Sequence, residues 1–125
     1  MSDSLQTKNS TEVRLQRLLQ RFALAAKAHN SAMEAMDAER AEAQGRMLAG
    51  LHEALVCSEA DGVEKLLELT ESSDPVVAGM AAVYSIRHDS RRALAALIKI
   101  AKEPGLLGYR AGMAIERWES GEWDK

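Results

Sequence analysis

The chain offers few residues for chemistry: His29, His52 and His88, the single Cys57, and two loose sets of carboxylates. No histidine has a partner at a recognised metal spacing. His52-Glu53 opens like a zinc-protease helix, but the position four residues on is Val56. A metal site would need ligands converging from separate helices, and the bland reading is that His29 and His52 lie at core edges. Cys57 falls near the end of a helix, where the dipole disfavours a thiolate, so it reads as a small half-buried hydrophobe. Gly105-x-x-Gly108 fits a turn and helix start and is too short for a phosphate cradle. These residues predict no catalytic group, no metal and no cofactor.

The carboxylates are more suggestive. Glu34, Asp37, Glu39 and Glu42 cluster at the first inter-helix turn, and Glu59, Asp61, Glu64, Glu68 and Glu71 gather around the second. As a functional feature they would dock a basic protein surface and raise its association rate. As a bland one they are solvated helix faces. Glu64 and Glu68 stand one turn apart and share a face. Tyr109 and Arg110 begin the last helix, where interfaces often form, and Trp123 lies beyond the last apolar stripe as either a packed end cap or an exposed anchor. Trp118 falls on that stripe and reads as core.

The elements that position these groups are helices. Met1 to about Ser10 is polar and aperiodic and reads as a frayed tail. Thr11 caps a first helix, and Leu15, Leu18, Leu19, Phe22, Ala25, Ala26, His29, Met33 and Met36 recur at steps of three and four along it. Asp37 caps a second helix with Ala41, Gln44, Leu48, Leu51 and Leu55 on its stripe. Gly45 and Gly50 interrupt it at about 1 kcal/mol each and point to a closely packed neighbour. Asp61-Gly62 ends it. The third helix spans 62 to 71. Asp74-Pro75 starts a fourth, apolar on much of its circumference, to about Arg87. The fifth, Arg91 to Lys102, buries Leu94, Leu97, Ile98 and Ala101. The sixth carries Leu107, Ala111, Ala114, Ile115 and Trp118, and Gly121 stops it. Short turns force antiparallel neighbours, giving three hairpins in a right-handed stack.

With 46% hydrophobic residues and only 4% aromatics, Leu, Ala, Val, Ile and Met must build the core. The formal charge of −3 argues against a nucleic-acid partner, which would want a basic face. The lone cysteine suits a reducing compartment. The polar N-terminus lacks the apolar run of a secretion signal, and no stretch has the length of a membrane span. A cytoplasmic protein with no membrane partner is expected.

The segment from Gly62 to Trp118 reads twice. Val63, Leu66, Leu67 and Leu69 are mirrored by Leu94, Leu97, Ile98 and Ile100. Val77, Ala78, Ala81 and Ala82 are mirrored by Tyr109, Arg110, Met113 and Ala114. A period of roughly 30 residues is that of a helical solenoid unit, which builds binding surfaces more often than active sites.

Leu66-Leu67-x-Leu69, Asp74-Pro75-x-Val77 and Ala81-Ala82 resemble a HEAT repeat, with Ala78 where the usual Arg stands. Arg21-Phe22-Ala23, the run from Pro104 to Tyr109, Ala111, Met113 and Trp118-Glu119-x-Gly121-Glu122 resemble a bacterial family of small HEAT-like domains of unknown function. The resemblance covers roughly 18 to 122. It implies an all-α, short HEAT-like solenoid of about six helices, with one domain over 11–121 between tails 1–10 and 122–125. It also implies a binding role, since some such proteins look like immunity proteins against secreted toxins. The leading expectation is therefore a non-catalytic immunity protein that occludes the active cleft of a basic toxin. The alternatives are a glycosylase-type enzyme acting on nucleic acid and a homo-oligomeric adaptor, for instance a homodimer.

Overall fold

A computed structural model describes residues 2–58 and 61–122, with side chains from Ser10 onward. Its regular elements are all helical: α1 (Ser2–Glu34), α2 (Ala38–Val56), α3 (Gly62–Glu68) with a 3₁₀ turn at Leu69–Glu71, α4 (Pro75–Ser85), α5 (Ser90–Ile100) and α6 (Gly105–Glu119). The fold is all-α, as the 3.6-residue stripes predict. The chain divides into two compact units, Met1–Leu66 and Leu67–Lys125.

The first unit is a hairpin of α1 on α2. Leu15, Phe22, Ala25, Ala26 and Ala32 of α1 are buried, as are Ala41, Leu48, Leu51 and Leu55 of α2. Alanines on the seam let two helix axes approach closely. α1 begins at Ser2, so the stretch expected as a frayed tail is helical. No glycine or proline occurs before Gly45, and nothing in the sequence breaks the helix.

At its other end α1 stops at Glu34, although the apolar stripe continues to Met36. Met36 takes a left-handed backbone, φ 56°. The Met36 amide donates to the Met33 carbonyl at 3.1 Å and the Asp37 amide to the Ala32 carbonyl at 2.9 Å. These two bonds form a Schellman turn. Asp37 then caps α2, its Oδ1 accepting from the Arg40 amide at 3.1 Å.

α2 runs unbroken through Gly45 and Gly50, whose added Cβ atoms would meet nothing within 4 Å. The close neighbour expected at those two positions is absent. The close approach falls at Gly62, where a Cβ would overlap the Leu55 carbonyl. α2 ends at Val56, several residues before the Asp61-Gly62 signal. Cys57 forms its C-cap and is exposed, not half-buried.

In the second unit, Asp74 caps α4 by accepting from the Val76 amide at 3.0 Å, with Pro75 in the first turn. Asp89 caps α5 by accepting from the Arg92 amide at 3.2 Å. The core joins Ala78, Ala82 and Ile86 of the α4 segment to Ala93, Leu97 and Ile100 of α5 and to Ala111 and Ala114 of α6. Trp118 packs against this cluster, as its stripe position predicts. Ser85 of α4 is also buried, and its hydroxyl donates to the Ala81 carbonyl at 2.6 Å. Gly108 permits the tight α5–α6 turn, since a Cβ there would overlap the Glu103 carbonyl. Gly121 stops α6 with φ 78°, as expected of a glycine just past a helix end. Ile98 was expected to be buried with Leu97 but is exposed, because the α5 face turned inward is the one bearing Ala93, Leu97 and Ile100.

Candidate functional site

The α1–α2 turn assembles the first carboxylate set. Glu34 closes α1 and is exposed, with the Asn30 side-chain amide donating to its Oε1 at 3.3 Å. Asp37 is half-buried and committed to its cap. Glu39 and Glu42 are exposed on the first turns of α2, and Glu42 lies 3.8 Å from Arg46. Both partners of that pair are largely solvated, so it contributes little to stability.

Across 34–46 four carboxylates stand against two guanidinium groups, Arg40 and Arg46, so the corner is net negative. The last turn of α1 carries no basic residue, which leaves the negative end of its dipole uncompensated there. In the turn Met36 is 90% exposed, and Met33 in the last turn of α1 is exposed as well. An apolar point rimmed by charge has the anatomy of an interface core and its polar rim. The sequence hides both methionines by continuing the core period through them. The cap at Asp37 is the one signal that the chain has already left the helix.

The second carboxylate set is less focused. Glu64 and Glu68 lie one turn apart on α3, and Glu71 ends the 3₁₀ turn; all three are exposed, as is Asp61. Glu59 and Trp123 lie outside the described residues. Tyr109 is 66% exposed on the second turn of α6, whereas Arg110 beside it is half-buried. Leu106, one turn before Tyr109 on the same helix, is exposed as well. Neither Ile98 nor Leu106 stands out by sequence reasoning as a surface residue.

Of the histidines, His29 and His52 are half-buried and His88 is exposed. Among the described residues no three His, Cys, Asp or Glu side chains group as metal ligands. Burial pushes the Tyr84 phenol above its ordinary pKa. No helix is long and apolar enough to cross a membrane, among the described residues.

No family model matches the chain, and no curated protein matches it. Among solved structures, it is similar to the crystal structure of the protein RPA1889 from Rhodopseudomonas palustris CGA009. The two share 21% identity with a TM-score of 0.75, over 86% of this chain and 89% of that one. This likeness establishes a helical fold shared with a small bacterial protein.

Proposed function

We propose that this chain is a non-catalytic protein-binding module, and that it neutralises a basic bacterial toxin by occluding the toxin's active cleft. The observation that carries the reading is a contrast between two helix ends. α1 and α6 both end on a left-handed residue. At α6 that residue is Gly121, which adopts the conformation freely; at α1 it is Met36. A β-carbon in this conformation costs roughly 1–2 kcal/mol. Two backbone hydrogen bonds close the turn at Met36, so contact there would cost little further backbone freedom. Glu34, Glu39 and Glu42 around it would steer a cationic surface onto that point. The resemblance to HEAT-like immunity proteins points the same way.

A second reading, an adaptor subunit, is favoured by Tyr109 and Leu106, both exposed on the first turns of α6. The first reading is tested by co-expressing the chain with the product of the adjacent upstream gene. Co-purification and protection of the cell are expected, with both lost when Glu34, Glu39 and Glu42 are changed to Lys. A neighbouring gene without a toxin domain, together with no protection, would remove the toxin reading.

A further inference from the structure

The outer face of α1 carries a charge pattern of its own. Between Val13 and Met33 the chain has Arg14, Arg17, Arg21 and Lys27 and no carboxylate, although the whole protein is net negative. Arg14, Arg17 and Arg21 are exposed and follow one another at steps of three and four. Like charges at these steps repel and destabilise the helix by a few tenths of a kcal/mol per pair. The positions that could relieve them in the helix are Ser10, Thr11, Val13, Leu18, Gln20, Leu24 and Ala25, none of them acidic.

Two apolar side chains share this surface. Leu24 is 66% exposed and Val13 is 48% exposed. At about 100° per residue, Val13, Leu24 and the three arginines fall within roughly 100° of arc. They cover about three turns along one side of the helix.

We propose that this face docks an acidic amphipathic helix of a partner protein, whose carboxylates meet Arg14, Arg17 and Arg21 and whose apolar residues meet Val13 and Leu24. Arginine presents a planar fork that takes a carboxylate with two parallel hydrogen bonds, which suits fixed register better than lysine does. The apolar pair distinguishes this partner from a phosphate backbone, which would satisfy the arginines and leave Leu24 in water. A bilayer fits poorly, because Leu15, Phe22, Ala25 and Ala26, the apolar side of α1, are already buried in the hairpin. A second copy of the same face is excluded by like charge. The surface is separate from the acidic corner, carries the opposite sign, and does not depend on the toxin reading.

The test uses the full chain and three labelled probes in low salt: an acidic amphipathic peptide of about 20 residues, a scrambled peptide of equal composition, and a short DNA duplex. The amphipathic peptide is expected to bind best, with affinity falling as salt rises. Arg14→Gln, Arg17→Gln and Arg21→Gln together are expected to weaken it by about tenfold or more, and Leu24→Ala alone by several-fold. These exposed substitutions keep good helix formers, and circular dichroism checks the fold. Equal binding of the scrambled peptide, tighter binding of the duplex, indifference to the arginine changes, or no binding to any probe would each overturn the proposal.

Discussion

The two units bury their helices by different means, and the difference decides where surface is left for contact. In the first, α1 and α2 share one long seam filled by Phe22, Leu48 and Leu55, all fully buried. Among the described residues each helix makes its main contacts with the other, so most of its circumference stays in water. There the carboxylates of the α1–α2 turn and the arginines of α1 stand apart from one another. In the second unit, α5 packs against both α4 and α6 through Ala93, Leu97 and Ile100. A helix held on two sides has less outer surface, and what remains on α5 is a narrow strip of Ser90, Arg91, Ala95, Ile98 and Lys99. A single seam thus leaves broad charged faces, and a triple packing leaves narrow strips.

Cutting each core is the strongest way to probe this contrast. Phe22→Ala should destabilise by about 3–5 kcal/mol and Leu97→Ala by about 2–5 kcal/mol. Urea unfolding followed by Trp118 fluorescence in a Trp123→Phe background, which reports the second unit, should register the Leu97 change directly. If Phe22→Ala moves the Trp118 transition equally, the units unfold as one cooperative body and the contrast is only one of packing.

Glycines sharpen it at a smaller scale. Gly108→Ala should cost about 1–3 kcal/mol, because its Cβ would meet the Glu103 carbonyl in the second unit. Gly50→Ala in the first unit should stabilise by up to about 1 kcal/mol, since its Cβ would enter open space on a helix. A thermal melt in which Gly50→Ala is destabilising as well would show that α2 is not as open as its single seam implies.

The smallest effect is electrostatic. Burial raises the folded-state pKa of Tyr84, so the folded protein holds that proton more tightly than the unfolded chain. The resulting contribution is fully present below the unfolded value of about 10 and is lost as pH rises through the folded value. Tyr84→Phe should flatten the alkaline fall of stability in urea titrations.

How much of this was legible in the sequence depends on whether the signal was local. Asp37 and Asp74 identify themselves as caps because a helix start needs an acceptor within three residues, whereas the choice of Asp89 over Ser90 for α5 comes only with the structure. Pro75 and Gly121 mark boundaries for equally local reasons. The leucine and alanine stripes give the buried faces of α1 and α2, whereas on α5 the stripe through Ile98 is rotated from the face that is buried. What stays hidden is which backbone approaches which glycine: Gly45 and Gly50 look like contact points and are open, whereas Gly62 and Gly108 look like ordinary turn residues and touch carbonyls. Periodicity also misplaced Met36, because a stripe does not announce that the helix beneath it has ended. The acidic corner was legible as a set of carboxylates, and its apolar centre was not.

Met36 offers the most direct test of the binding assignment, because stability and function pull in opposite directions there. Met36→Gly removes the left-handed strain and the exposed side chain together. The affinity of the wild type and of this variant for the adjacent upstream gene product, measured by calorimetry beside their urea midpoints, separates the two. The expected result is a variant more stable by about 1 kcal/mol that binds at least tenfold more weakly. A variant that is stabilised and binds as tightly as the wild type would contradict the role given to the α1–α2 corner.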